Sequence, residues 1–309
     1  SFYRPDKKKY KILCESGAFS SDQYAMETQT LFHGFQPEDA IIELSPRAGE
    51  HCLRMEDILE AIEKNKDSLA LVLIGGVNYL TGQLFNMKQI TAAAHKAGAL
   101  AGFDLAHAIG NVKLELHDWD VDFAVWCSDK YLNSGPGGIA GIFIHERHAS
   151  NTNLLRFAGR WRADNKGIGA TMKKGFVPTP TAEGWQLSTF PIVLMAAHKA
   201  ALDQFDEAGM DALVLKSLKL TAYLEFIIDV INPDLEQPFE IITPRNHHER
   251  GCQLSILTGN RGEELNTKLL QAGIIADWLE PNILRCAPVP FYNSFEDVYR
   301  FGDVLRRIS

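Results

Sequence analysis

Polar and charged residues stand directly after apolar runs of this sequence at four places. They are FSSD at 19–22, GGVN at 75–78, DLAH at 104–107, and the pair Asp129 and Lys130. The runs before them read as strands of a mostly parallel sheet, and ligands bind beyond the carboxyl ends of such strands. If these strands lie side by side, the four strings meet in one crevice.

Asp104 and Lys130 are the pair with the most specific chemistry. They lie 26 residues apart, each just past a strand. Enzymes that use pyridoxal phosphate (PLP) need a lysine amine that bonds to the cofactor and a carboxylate that keeps the ring nitrogen protonated. Taken singly, a lysine after a strand is usually a solvated loop residue, and an aspartate is usually a turn residue or an N-cap. The pair therefore predicts a PLP site only when the sequence around the two residues is also considered.

The pattern of apolar residues predicts the elements that position this pair. In the first two thirds, strands are expected at 10–15, 40–44, 69–74, 99–103, 123–127 and 139–146, and helices at 21–32, 55–65 and 87–98. Ser20 or Ser21 is predicted to cap the first helix, and Asn86 the third. Strands that alternate with helices indicate the α/β class.

After residue 190 the pattern changes. Helices are predicted from residue 191 and at 211–231, 262–272 and 294–308, with strands at 239–243, 252–257 and 282–288 between them. The Gly-, Thr- and Pro-rich segment 149–190 reads as a long connection. We expect a large domain at 1–190 and a smaller α+β C-terminal domain at 191–309.

The composition of the chain argues against several classes of function. The chain has 309 residues, 46% of them hydrophobic, and a formal net charge of -8, which favours a small-molecule partner over nucleic acid. No apolar run approaches the roughly 20 residues of a membrane span, so we expect a cytoplasmic protein. Five scattered cysteines without a CxxC pair argue against a disulfide framework and a zinc site. Because residue 1 is Ser, we expect the chain to be part of a longer protein.

The sequence around Asp104 and Lys130 resembles that of the kynureninase family of PLP enzymes. The strings GFDLAHAIGN and WCSDKYLNSGPGGIAGIFIHE match the family's aspartate and lysine motifs, and SDQYAMETQ, LTGQLFN, LHDWDVDFAVW, AEGWQLS, ERGCQLSI and RCAPVPFYNSFEDVY extend the match along the chain. The resemblance implies the fold type I architecture of PLP-dependent transferases. It also implies a homodimer, and an N-terminal portion that family members have before the position of residue 1.

The resemblance assigns site residues. The implied cofactor-binding residues are Phe19, Ser20, Ser21, Asp22, Gly75, Asp104, His107, Asp129 and Lys130, and the implied substrate-binding residues are Arg285, Trp161 and Thr189. In these roles Phe19 stacks on the cofactor ring and Asp104 pairs with the ring nitrogen. Lys130 bonds to the cofactor and transfers protons, and Arg285 binds the substrate α-carboxylate. The implied reaction is hydrolysis of L-kynurenine or 3-hydroxykynurenine to anthranilate or 3-hydroxyanthranilate plus L-alanine, without a metal.

Four positions depart from the family pattern. Asp129 replaces a tyrosine that donates to the phosphate, Arg160 replaces a tryptophan, Thr189 replaces an asparagine, and Gly75 stands where serine is commoner. These changes lie at ligand-facing positions, so a non-catalytic relative is the alternative. A cysteine desulfurase fits less well, because those enzymes carry a histidine before the lysine and a reactive loop cysteine.

Overall fold

The computed structural model describes residues 1–151, 153–157, 159 and 174–309. Its first part contains the strands Lys11–Glu15 (β1), Ile41–Leu44 (β2), Leu69–Gly75 (β3), Leu100–Asp104 (β4), Phe123–Cys127 (β5) and Ala140–Ile144 (β6). The helices of this part are Ser20–Phe32 (α1), Pro37–Ala40 (α2), Met55–Lys64 (α3), Met87–Lys96 (α4) and Glu146–Ala149 (α5).

These strands form one sheet in the order β2-β1-β3-β4-β5-β6. All neighbours pair in parallel except β6, which runs antiparallel to β5. The prediction of an α/β fold with a mostly parallel sheet is therefore confirmed. Because β1, β3, β4 and β5 are neighbours with the same direction, the four polar strings lie at one edge of the sheet.

The sheet is held by a core that the sequence pattern anticipates. The central strand β3 is a continuous apolar run, and Leu69 and Val72 are fully buried within it. Helices α3 and α4 pack against the sheet through Ile58, Ile62 and Ile90, which are exposed by 1% or less. Each such side chain stabilises the fold by roughly 1.5–3 kcal/mol relative to exposure.

The second part is an α+β layer, as predicted. It comprises Ile192–Ala208 (α6), Met210–Ile231 (α7), Glu240–Ile241 (β7), Leu254–Leu257 (β8), Gly262–Gln271 (α8), Asp277–Leu279 (β9), Ile283–Cys286 (β10) and Phe295–Ile308 (α9). Its antiparallel sheet has the order β7-β8-β10-β9, and α7, α8 and α9 bury their apolar faces together with it. The domain boundary at 190/191 stays a prediction.

Of the two predicted helix N-caps, one is correct and one is wrong. The Asn86 side chain accepts from the Gln89 amide at 3.1 Å and begins α4 as expected. Neither Ser20 nor Ser21 caps α1, because that helix begins one residue earlier and Phe19 occupies the N-cap without a side-chain hydrogen bond. Among the described helices, none is long and apolar enough to cross a membrane.

A buried carboxylate closes the end of the sheet opposite the polar strings. Asp122 is 1% exposed and precedes β5. Its carboxylate accepts from the Ala101 amide at 2.7 Å, from His95 at 2.8 Å, from Arg147 at 2.6 Å and from His148 at 2.7 Å. Burial opposes ionisation, but these hydrogen bonds outweigh it and hold the pKa of Asp122 well below its usual value.

Asp122→Asn should lower the free energy of unfolding by about 3 kcal/mol at neutral pH, because it removes the charge that satisfies several buried donors. A carboxyl whose pKa is lowered on folding stabilises the protein above its unfolded pKa, so the difference between wild type and variant should shrink as pH falls below about 4. Urea titrations at several pH values measure both effects. The exposed Asp67→Asn serves as control, and an equal loss in both variants would contradict the prediction.

Candidate functional site

The site is built on the carboxyl ends of β1, β3 and β4. Gly75 and Asp104 are register partners at the ends of β3 and β4. On the other side of Gly75, the Glu15 carboxylate at the end of β1 accepts the Gly75 amide at 3.0 Å. Strand pairing therefore places the Glu15 and Asp104 carboxyls on either side of Gly75 along the sheet edge.

A second aspartate joins these carboxyls from α1. Asp22 lies in the first turn of α1, and its carboxyl lies close enough to that of Asp104 to be affected by its charge. Partial burial, followed by the nearby charge of Asp104, raises the pKa of Asp22 to about 7. Asp104 also accepts the Ala106 amide at 2.7 Å, which fixes its orientation. Like charges in such a partly buried place repel, which disfavours the ionised form of Asp22.

Lys130 approaches the same place from the loop after β5. Its Nζ lies 5.6 Å from the centre of the Phe19 ring, within reach of a cation–π contact. Phe19 is 47% exposed, which is unusual for an aromatic ring in a cleft bordered by charged groups. The ring, the ammonium and the Asp22–Asp104 pair thus face one space.

Two aromatic rings and His107 line the next part of the cleft. Tyr79 meets Phe19 edge to face at 5.4 Å, and His107 lies between Tyr79 at 6.5 Å and Tyr131 at 5.9 Å. Burial, then the charges of Lys130 and Arg285, lower the pKa of His107 to about 3. His107 is therefore neutral at physiological pH. Its buried Nδ1 has no hydrogen-bond partner among the described residues.

Arg285 connects the second sheet to this cleft. It lies on β10 opposite Asp277 of β9, and its guanidinium contacts the Asp277 carboxylate. The other end of the guanidinium donates to the Tyr79 carbonyl at 2.7 Å. The Gln253 side chain donates to the same carbonyl at 3.0 Å. Arg285 is therefore held at the border between the two sheets.

The Lys130 loop is fastened to α6 and α7. The buried Ser134 hydroxyl lies 2.5 Å from His198 Nδ1 on α6, and the Ser134 amide donates back to the Ser128 carbonyl at 3.0 Å. Leu132 packs against Phe205 of α6 and the adjoining apolar residues. The loop that carries Lys130 is thus closed on itself and anchored at two points.

The predicted site residues are not equally placed. Phe19, Asp22, Asp104, His107 and Lys130 meet in the cleft, whereas Ser20 and Ser21 are exposed on the first turn of α1, Asp129 is exposed beside Lys130, and Thr189 is exposed before α6. The Gly75 amide, expected near a phosphate, donates to Glu15. Trp161 and Arg160 lie outside the described residues. The ligand-binding roles of all twelve predicted residues stay predictions.

Sequence reasoning missed two residues of the cleft. Glu15 ends the buried strand β1, so the rule that selected the other polar residues after strands also applied to it. Tyr79 directly follows the GGVN string. Both could have been found from their position after an apolar run.

Comparison with known proteins gives the family. The model of the kynureninase C-terminal domain matches residues 213–305. The kynureninase of Flavobacterium psychrophilum is 55% identical over 307 residues, which cover 99% of this chain and 72% of that protein. The chain belongs to the kynureninase family. The kynureninases of Myxococcus xanthus and Rattus norvegicus are 53% and 46% identical and are covered over 71% and 67% of their lengths.

Solved structures place this kynureninase-family chain in the fold of PLP-dependent enzymes. A cysteine desulfurase from Thermococcus onnurineus superposes with a TM-score of 0.76 at 18% identity, over 98% of this chain and 73% of that one. A variant of C-DES, solved with glycine covalently linked to its PLP cofactor, superposes with a TM-score of 0.78 at 14% identity, over 100% and 77% of the two chains. The fold type I prediction is confirmed.

Ser134→Ala should loosen the Lys130 loop, because it removes the hydroxyl that contacts His198. We expect a loss of about 1 kcal/mol of stability, the usual contribution of one buried hydrogen bond. Amides of residues 128–139 should exchange with deuterium faster, as measured by mass spectrometry. Ser45→Ala, at an exposed loop position, is the control. Unchanged exchange in Ser134→Ala would mean that His198 does not hold the loop.

Proposed function

We propose that this chain carries the hydrolytic activity of kynureninases, which converts L-kynurenine or 3-hydroxykynurenine and water to anthranilate or 3-hydroxyanthranilate plus L-alanine. The observation that carries the proposal is the convergence of Lys130, the Asp22–Asp104 pair and Phe19 on one cleft. Relatives named kynureninase at 46–55% identity along the chain support it.

The described residues fit the ring of PLP. Phe19 offers an exposed aromatic face for stacking, Lys130 an amine for the aldehyde, and the Asp22–Asp104 pair a negative charge for the ring nitrogen. The buried and unpartnered Nδ1 of His107 supplies a free polar atom beside the ring. The residues expected at the phosphate end are less suited, since the Gly75 amide already donates to Glu15 and Asp129 has no hydroxyl donor such as the family's tyrosine offers.

The residues of the cleft have separate roles in the proposed reaction. When bound, PLP supplies an electron-withdrawing ring conjugated to the substrate α-carbon. Lys130 takes the proton from the α-carbon and returns it to the product, since it is the amine that faces the cleft. Arg285 binds the substrate α-carboxylate through the guanidinium N–H groups that its contacts with Asp277 and Tyr79 leave unused, and so fixes the α-carbon against Lys130. Water adds to the side-chain carbonyl carbon Cγ, and the bond between Cβ and Cγ then breaks. Cγ leaves as the carboxylate of the anthranilate product, and Cβ takes up one of the protons of the water to become the methyl group of L-alanine.

The decisive test uses Lys130. Borohydride reduction of the PLP-loaded protein should fix the cofactor on Lys130, identified by peptide mass spectrometry. Anthranilate fluorescence should appear with L-kynurenine and fall by at least about 10³-fold in Lys130→Ala, because the variant has no base at the α-carbon. Lys64→Ala, at an exposed position at the C-terminal end of α3, is the control. Activity that survives in Lys130→Ala, or labelling elsewhere, would refute the proposal.

A second candidate is a family member with impaired cofactor binding, which the exposed carboxylate of Asp129 beside Lys130 favours. Two charges about 5 Å apart at an effective dielectric near 20 repel by roughly 3 kcal/mol, and exposure to solvent reduces this value. Asp129→Tyr should therefore tighten PLP binding about tenfold, as measured by titration of cofactor absorbance. Equal affinities would remove the reason for this candidate, and activity in the wild type would exclude it.

We also propose that the chain works as a cytoplasmic homodimer with a large domain at 1–190 and a small domain at 191–309. The five free cysteines fit a reducing compartment. Val125 and Ile142 are register partners on β5 and β6 and are both about 40% exposed, as expected of a surface that a second copy covers. Light scattering that gives twice the 34.5 kDa chain mass would support the dimer, and a monomer mass would refute it.

A further inference from the structure

Three consecutive main-chain carbonyls, here called the carbonyl row, join the two sheets beside the cleft. They belong to Tyr79, Leu80 and Thr81, in the turn after β3, and each accepts a hydrogen bond from a side chain of the second part of the chain. The donors to Leu80 and Thr81 are the buried hydroxyls of Ser255 and Thr243. The carbonyl row therefore ties the turn to the second sheet.

Gln253 is the side chain that shares an acceptor of this row with Arg285. Its Nε2 lies 3.0 Å from the Tyr79 carbonyl oxygen, to which the Arg285 guanidinium donates at 2.7 Å. The same Nε2 lies 2.9 Å from the Ser255 hydroxyl and 3.3 Å from the Leu80 carbonyl oxygen. Because carbonyl oxygens only accept, the NH2 end of the amide must face them. Gln253 is 2% exposed, so water hardly competes for these contacts.

Strand register explains why these groups meet. Arg285 on β10 is the register partner of Ser255 on β8 and of Asp277 on β9. Direct partners in an antiparallel sheet point to the same face, and Gln253 lies two residues before Ser255, which directs it to that face as well. The face that carries Arg285 therefore also carries the amide that holds its acceptor.

The two supports of the Arg285 guanidinium are unequal. Asp277 lies on the three-residue strand β9 and its side chain is 58% exposed, so water weakens this ion pair. The Tyr79 carbonyl is the inner support, and its oxygen has two lone pairs. Gln253 takes one of them and Arg285 takes the other. Without Gln253, a second N–H of the guanidinium is free to turn toward the same oxygen and away from the cleft.

We infer that Gln253 is a positioning residue that fixes the Tyr79 carbonyl and thereby keeps the unused N–H groups of Arg285 directed at a ligand carboxylate. This role rests on the proposed function, in which Arg285 binds the substrate α-carboxylate. Gln253 acts through Arg285 and takes no part in proton transfer. Its removal therefore weakens the affinity for the carboxylate and leaves the steps at the α-carbon unchanged.

Binding of an analogue without an α-amine tests this role separately from turnover. 3-Benzoylpropanoate has the carboxylate and the aryl ketone of kynurenine but no amine, so it forms no bond with PLP. Its methyl ester carries no negative charge and is the reference ligand. In calorimetric titrations, the wild type should bind the acid more tightly than the ester. Gln253→Met should lose about tenfold of this preference, roughly the effect of one hydrogen bond.

Steady-state kinetics give a second measurement on the same variant. With L-kynurenine, Gln253→Met should raise KM about tenfold and change kcat by less than about twofold, because the base at the α-carbon is untouched. Gln253→Asn covers the case in which Gln253→Met folds poorly. It retains a buried amide, but its side chain is one methylene too short to reach the Tyr79 carbonyl, so it should show the same loss of preference for the acid.

Thr243→Val is the matched control. Thr243 is also 2% exposed, but it donates to the Thr81 carbonyl instead of the carbonyl that Arg285 shares. Valine has nearly the same shape as threonine and no hydroxyl. Thr243→Val should therefore lower the thermal stability of the protein and leave its preference for the acid over the ester within about twofold of the wild type.

A wild-type preference for the acid in both Gln253 variants would overturn the role of Gln253 and leave the proposed function standing. An equal loss of preference in Thr243→Val would also overturn it, since general loosening of the turn would then explain the effect. A wild type that binds acid and ester equally would refute the role of Arg285 and, with it, that of Gln253. A wild type that prefers the acid but does not hydrolyse kynurenine would count against the proposed function alone.

Discussion

The hydrogen bond from the Gly75 amide to Glu15 ties together the ends of the two strands on which this cleft is built. It forms because β1 and β3 are parallel neighbours that end side by side, and because residue 75 has no side chain to separate them. On the other side of Gly75, the register of β3 and β4 places Asp104. The electrostatics of the site therefore follow directly from strand order: acids that are distant in sequence become neighbours, and their mutual repulsion decides how many can be ionised.

The rest of the molecule limits the motion of these groups. The Lys130 loop is closed by Ser134 and Ser128 and fastened to α6 by His198, while Arg285 is held between Asp277 and the Tyr79 carbonyl. At the far end of β5, Asp122 collects several donors around a buried charge. A site that must align an amine, a ring and a carboxylate benefits from such fixed supports, because small displacements cost much of the gain from orientation.

Sequence patterns predicted most of the fold, because long apolar runs and amphipathic helices have clear periods. They predicted the sheet, the α+β layer and the convergence of Phe19, Asp104 and Lys130. They missed β9, whose three residues are too few to show a period, and they misplaced the start of α1. They also could not predict that Glu15 occupies the Gly75 amide or that Asp277 holds Arg285, since these contacts depend on packing between separate elements.

The attachment of Arg285 to the Tyr79 main chain has a consequence for selectivity. Tyr79 also meets the Phe19 ring edge to face, so the guanidinium that we propose for carboxylate binding and the aromatic wall are connected through one residue. These contacts limit changes in the spacing between the two groups. With Arg285 in its proposed role, this connection disfavours a ligand whose carboxylate is esterified or separated from the amine by an extra methylene, because such a ligand does not match the distance between the two groups.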